Sequence, residues 1–184
     1  TSSAETMIPK ITFGTDGWRG IIADDFTFAN GRYCAQSVAE YLWDKGLASR
    51  GMVVGYDTRF ASERFAAAVA EVFAGNDVKT DLCTQATPTP IVSYEVARQK
   101  AAGAVIITAS HNPGQWNGFK IKSPDGSSAA TQVEAEIESR LPHIMAQDKI
   151  KRLDLEEGLA KGIIRYVDLA PTYFNHIAHL VDLQ

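Results

Sequence analysis

At 184 residues the chain is long enough for one domain with a real core, or for one domain and part of a second. Hydrophobic residues make up 45% and charged residues 22%, ordinary for a soluble globular protein, and no apolar run is long enough to span a bilayer. The net charge of -4 gives no electrostatic footprint for nucleic acid or an anionic membrane, so neither is expected as a partner.

The first segment, TSSAETMIPK, is polar and has no apolar centre, unlike a signal peptide, and residues 1–9 are expected to be a flexible lead-in. Cys34 and Cys83 lack CxxC spacing and fit free, buried thiols of a reducing compartment, which makes a cytoplasmic location the expectation. KITFGTDGWRGII, starting at Lys10, places β-branched and aromatic residues around a Gly-rich bend. From about Thr27 to Lys45 an amphipathic helix is predicted, with Ala35, Val38, Tyr41 and Leu42 on one face and Gly46 as its stop.

MVVGYD, from Met52, is a short buried strand. Ser62 is the N-cap candidate of a second helix, whose apolar stripe is Phe65, Val69, Val72 and Phe73. VKTDLC is another strand, and TPTP, Thr87 to Pro90, reads as a rigid loop before a third helix from about Ile91 to Arg98. The strand GAVIIT follows. Asn117-Gly118 is a tight-turn signal ahead of a strand FKIK. The alternation of strand and helix predicts an α/β fold: a mainly parallel mixed sheet with helices on both faces, in three layers, α/β/α.

After the turn SPDGSS a helix is predicted from about Thr131 to Leu141, then a connection over 142–162. Within that connection LDLEEGLAKG reads as a short helix, with Asp154 and Glu157 at capping-box spacing. IIRYVDL is a strand, and PTYFNHIAHLVDLQ starts a further helix with Pro171 in its first turn. Residues 10–141 thus form one unit and 163–184 read as the start of a second.

The chemistry gathers where GAVIIT ends. A core strand that stops in Thr108, Ala109, Ser110, His111, Asn112 and Pro113 places a hydroxyl beyond the carboxyl end of the sheet, where ligands of open α/β folds bind. Lys120 returns on the next strand, so a hydroxyl and an ammonium can face one small ligand. A nucleophile elbow fits poorly, because Thr108 and Asn112 stand where small residues are needed and no helix follows. A Walker A loop and a GxGxxG fingerprint are absent after any strand. Phosphoryl transfer through a phosphoserine fits better, with donors from His111, Asn112 and Lys120. His143, His176 and His179 have no ligand-like neighbours in sequence, Tyr56 reads as core, and Asp57 with Arg59 reads as a structural ion pair or cap.

TASHNP followed by NGFK resembles the active-site loop of the α-D-phosphohexomutases, the phosphoglucomutase/phosphomannomutase family. FGTDGWRG, Phe13 to Gly20, resembles that family's opening segment, and GYDTRF its second-strand motif. The likeness covers roughly residues 10 to 140, the first domain of a family whose members have four. It implies that Ser110 carries the phosphoryl group and gives it to a hexose monophosphate, forming a glucose or mannose 1,6-bisphosphate that then returns its other phosphate. It further implies that His111 and Asn112 frame the phosphoserine and that Lys120 is the general base or acid. Arg19 would neutralise charge, and the neighbouring bend of Thr15, Asp16 and Gly17 would join Asn112 and Asn117 in the substrate- and phosphate-binding set. Mg2+ would be held through the phosphate of Ser110, its remaining ligands lying in the second domain.

Hexose phosphate and the remaining domains of the same enzyme are the partners so implied. Thr108 in TAS weighs against the phosphoglucosamine branch. A non-catalytic phosphosugar- or phosphate-binding module, or a phosphoglucosamine mutase fragment, is the alternative, and the chain alone is expected to be inactive. Self-association is expected through residues 163–184, whose apolar face would otherwise be left open.

Overall fold

The computed structural model describes residues 10–181; the lead-in over 1–9 lies outside them. Six strands form one sheet: β1 (Trp18–Ile21), β2 (Met52–Tyr56), β3 (Thr80–Cys83), β4 (Gly103–Ile107), β5 (Trp116–Lys122) and β6 (Ile164–Val167). The helices are α1 (Phe28–Asp44), α2 (Ser62–Gly75), α3 (Thr89–Gln99), α4 (Thr131–Gln147), α5 (Leu155–Ala160) and α6 (Ala170–Leu180). The strand order is β1-β5-β4-β2-β3-β6. β4, β2, β3 and β6 run parallel, while β5 is antiparallel to both β4 and β1. The predicted mixed α/β sheet is what forms.

The helices divide between the two faces for a topological reason. β2–α2–β3 and β3–α3–β4 cross the sheet in opposite directions, so right-handed crossovers put α2 and α3 on opposite faces. α1, α4 and α5 join α2 in one layer, and α6 lies against α3 in the other. Between them Phe26, Phe73, Phe119, Ile106 and Ile107 are fully buried. Trp18, Phe26, Phe65 and Phe28 make a chain of ring contacts with centroids 4.3–4.9 Å apart, which ties β1 to α1 and α2. Cys34 and Cys83 are buried free thiols, as expected, and burial pushes the Cys83 thiol up to about 11. Among the described residues no helix is long and apolar enough to cross a membrane.

Several predicted boundaries move. Thr27 caps α1 through its side chain, which accepts from Asn30 N at 3.2 Å. Ser62 is the first residue of α2 and not its cap; Ala61, at φ 58°, holds that place, and the Ser62 hydroxyl donates to Asp57 instead. TPTP does not precede α3 but opens it. Pro88 is the N-cap and Pro90 sits in the first turn, where a missing N–H costs nothing. α4 runs past its expected end and through Pro142, because Ile137, Leu141 and Ile144 form one buried stripe that outweighs the lost bond. Asp154 caps α5 by accepting from Glu156 N, while Glu157 pairs with Lys161 rather than closing a capping box.

The chain does not divide at residue 163 in the way its sequence implies. β6 is the edge strand of this same sheet, in parallel register with β3 from Thr80–Ile164 to Cys83–Val167. β3 would otherwise be an edge of unpaired backbone groups, and β6 satisfies it. Ile164 is 1% exposed, so the strand's part of the expected open apolar face is covered within the chain. α6 differs: it has no buried residue, and Phe174 and Leu180 are exposed, as is Val181 just past its end.

Candidate active site

β2, β3 and β4 end on the same side, and the loops after them surround a cavity of about 630 Å³. Asp57, Arg59, Thr87, Thr108, Ser110 and Asn112 are among its lining residues. Ser110 is exposed in the loop from β4 to β5 and adopts the left-handed conformation, φ 55°. Its amide donates to Thr108 Oγ1 at 3.1 Å, which closes a small turn at the end of the strand.

Lys120 comes back on β5 opposite Ile106. It is only 6% exposed, and its Nζ donates to Ser110 Oγ at 2.7 Å and to Asp16 Oδ2 at 2.6 Å. Lys122, two residues on and on the same face, donates to Ser128 Oγ at 3.0 Å and lies 4.0 Å from Asp16 Oδ1. Ser128 in turn donates to Asp16 Oδ1 at 2.9 Å. One carboxylate therefore serves two nearly buried ammonium groups. Burial acts to raise the pKa of Asp16, but the hydrogen bonds from Lys120 and Ser128 and the charges of both lysines outweigh it and hold the carboxyl below its usual range.

The bend of FGTDGWRG places that carboxylate. Asp16 and Gly17 both have positive φ, 65° and 100°. A Cβ on Gly17 would lie 2.4 Å from the Phe119 carbonyl oxygen, so only glycine lets the bend sit on β5. The Gly17 amide donates to Glu134 Oε1 of α4 at 3.1 Å. Burial raises the pKa of Glu134, opposed by that amide and reinforced by the charges of Asp16 and Glu138.

The remaining predicted residues separate into groups. Arg19, on β1 opposite Gly118, donates through Nη1 to Asn112 Oδ1 at 2.7 Å, and its Nε is buried without a partner. Asn112 therefore reaches the site as Arg19's acceptor. The His111 side chain is exposed in the loop and Thr15 is exposed at the bend; neither makes a side-chain hydrogen bond to another described residue. Asn117 is placed elsewhere. It is fully buried within β5, its Nδ2 donates to Ser62 Oγ at 2.8 Å, and its Oδ1 accepts from Gly118 N. It faces α2, not the serine hydroxyl, so its place in the phosphate-binding set is corrected to a structural one. Asn117-Gly118 is likewise strand and not turn, because Gly118 passes so close to its neighbours that a Cβ would sit 2.4 Å from Thr108 O and 2.9 Å from Trp18 O.

Sequence reasoning undervalued Arg59. The predicted ion pair with Asp57 is present at 3.2 Å. The guanidinium also donates to four carbonyls of the serine loop: Ser110 at 2.8 Å, Asn112 at 2.7 Å, Pro113 at 2.9 Å and Trp116 at 3.1 Å. Nothing local in GYDTRF signals contacts more than fifty residues away. Among the described residues no three metal-ligating side chains come together.

The chain is similar to known proteins over most of its length. The phosphoglucomutase/phosphomannomutase α/β/α domain I family matches residues 10–148. A phosphoglucomutase of Komagataeibacter xylinus is 29% identical over 95% of this chain and 33% of its own length. A Methanothermobacter thermautotrophicus protein described as "Probable phosphoglucosamine mutase" is 34% identical over 94% of this chain and 36% of its own. A solved structure described as that of a "putative phosphomannomutase" from Thermus thermophilus superposes with a TM-score of 0.81 at 36% identity, over 95% of this chain and 37% of that one. The chain thus spans about a third of the length of these relatives. The chain belongs to the phosphoglucomutase/phosphomannomutase family, of which it carries α/β/α domain I.

Proposed function

We propose that Ser110 is the phosphoryl carrier of a phosphohexomutase that interconverts hexose 1-phosphate and hexose 6-phosphate, the hexose being glucose or mannose. The observation that carries this reading is the 2.7 Å contact between Ser110 Oγ and a lysine ammonium that is nearly buried and held by Asp16. In the forward transfer a sugar hydroxyl oxygen bonds to the phosphorus of phosphoserine, the P–Oγ bond breaks, and the hydroxyl proton leaves to a base. Lys120 stands where it can donate to Oγ as that oxygen gains charge. Arg19 lies alongside through Asn112 and adds positive charge for the phosphoryl oxygens. In the return step Oγ bonds to the phosphorus of the other phosphate, the P–O bond from that phosphate to the sugar breaks, the sugar oxygen takes up a proton, and the phosphoserine is restored. Mg2+ would add Lewis-acid stabilisation of the phosphoryl oxygens, with ligands from outside the residues described.

Intact-mass and fragmentation spectra of the protein as isolated test the reading. Phosphate is expected on Ser110; phosphate on Ser123, Ser127 or Ser128 in its place would overturn it. The 184-residue chain assayed with Mg2+, hexose monophosphate and bisphosphate is expected to show no turnover, since positioning of both substrate ends needs more surface than this domain offers.

A further inference from the structure

Arg59 makes an arrangement that an ion pair with Asp57 does not require. Its two terminal nitrogens each donate to two carbonyls of residues 110–116, and its side chain is mostly buried. The guanidinium is itself fixed from behind: Asn117 donates to Ser62, Ser62 donates to Asp57, and Asp57 faces Arg59. The planar fork of an arginine can bridge several oxygens at once, whereas a lysine offers a point charge.

These bonds set the direction of the peptide planes. In a trans peptide the N–H points opposite to the C=O. No peptide bond here is cis. Drawing the Ser110 and Pro113 carbonyls toward Arg59 therefore turns the amides of His111 and Gly114 away from it. Neither amide has a hydrogen-bond partner among the described residues, and both residues are exposed. Gly114 lines the same cavity as Ser110, with open space on its side-chain side. Two free N–H groups on a loop that also bears the serine are donors suited to a phosphoryl oxygen.

We infer that Arg59 is a positioning residue of the serine loop, holding its carbonyls inward so that the His111 and Gly114 amides face the phosphoryl group on Ser110. The inference rests on Ser110 as the phosphoryl carrier. Arg59 acts through the loop and touches no reacting atom.

Phosphoserine installed at position 110 during translation of the 15N-labelled chain gives the probe, followed by 31P and 1H–15N spectra across the phosphate's second ionisation at about pH 6. In the unaltered background the His111 and Gly114 amides are expected to move downfield together with the phosphorus resonance. In Arg59→Met that amide response should be lost and the phosphate should titrate closer to the free value, while the core resonances of Val54 and Ile106 stay native. Arg59→Lys keeps the charge but not the fork, and it is expected to lose the amide response as well, a result that loss of charge alone would not give. Asp57→Asn, which keeps Arg59 but loosens the anchor that aims it at the loop carbonyls, should weaken the response and carries the test if the Met variant does not fold. Amides that track the phosphate equally in Arg59→Met or Arg59→Lys, or that fail to move in the unaltered background, would overturn the inference. Because the phosphoserine is supplied by translation, a natural protein found without phosphate on Ser110 would defeat the functional reading and not this result.

Discussion

Two regions of the sheet treat water in opposite ways. Around the serine loop, polar side chains are buried: Asn117 fully, Lys120 and Lys122 nearly so, each with a partner. At the far edge, on α6, apolar side chains are exposed: Phe174 is 61% and Leu180 67% accessible. Removing a polar group from water costs free energy unless a hydrogen bond replaces what is lost. A cluster of such groups at one strand end means that the fold tolerates that cost to hold a geometry. Exposed apolar side chains carry no such message, since much of any protein surface is apolar. β6 lies between these extremes, with Ile164 buried while Arg165 and Tyr166 face out.

The largest expected effect tests whether β6 belongs to the domain. Ile164→Ala should lower the unfolding free energy by about 2–5 kcal/mol, the range for large-to-small changes in a packed core. Ile164 lies under α5, close enough that a Cβ on Gly158 would be 2.5 Å from its Cδ1. Urea denaturation followed by both far-UV circular dichroism and tryptophan fluorescence should give one coincident, shifted transition. A separate minor transition, with the main one unmoved, would show that the tail folds apart from the sheet.

Next is Asn117→Ala, expected to cost about 1–3 kcal/mol because it leaves a buried partner unsatisfied. The same substitution should loosen the serine loop, since it removes the first link of the chain through Ser62 and Asp57 to Arg59. Faster amide hydrogen exchange at residues 110–116, with unchanged exchange in α3, is the signature. Uniform exchange across the domain would reduce Asn117 to ordinary core packing.

How far the sequence reveals these regions depends on the range of the interactions involved. The β-α-β alternation, the start of α1 near Thr27 and the placement of Ser110 beyond β4 are local or nearly local, and each is legible in the residues themselves. Lys120 is legible because an antiparallel return brings it back close in sequence to Ser110. The β5 assignment of Asn117 and Gly118 is not, because the turn preference of Asn-Gly is overridden by strands on both sides that need a residue without a Cβ. Pro142 and TPTP mislead in the same manner: local proline rules mark helix ends, but a buried stripe and a first-turn position decide otherwise. Arg59's four carbonyls and β6's pairing with β3 depend on contacts more than fifty residues apart, for which a single sequence carries no signal.

A smaller effect sharpens the electrostatic side of the comparison. Asp16 has a depressed pKa in the folded chain, so its contribution to stability is fully present above the ordinary carboxylate pKa of about 3.9 and is lost as pH falls through the depressed value. Glu134 has a raised pKa, so its protonation on acidification favours the folded chain and partly offsets that loss. Asp16→Asn should therefore be less stable than the unaltered chain at neutral pH, by less than about 1 kcal/mol given the partial exposure of the Asp16 carboxylate. The two stability curves should converge as pH falls below the ordinary carboxylate range. A gap that stays constant with pH would mean that Asp16 acts through the shape of its bend and not through its charge.

The smallest expected effect is at the exposed helix. Phe174 projects from α6 and is largely in water, and its one ring neighbour, Tyr173, meets it edge to face at 6.2 Å. α6 is held to the domain elsewhere, by Tyr173 and His176 against Tyr94 of α3, at centroid separations of 5.7 and 4.6 Å. Phe174→Ser thus removes little buried area and opens no cavity. Its cost should stay within about 0.5 kcal/mol, as for surface positions in general. Tyr94→Ala is the matched control, because it removes the ring on which both α6 residues rest, and it should increase hydrogen exchange along α6. If Phe174→Ser destabilises the chain as much as Tyr94→Ala does, the side chain is covered in solution, and α6 would then resemble the serine end of the sheet.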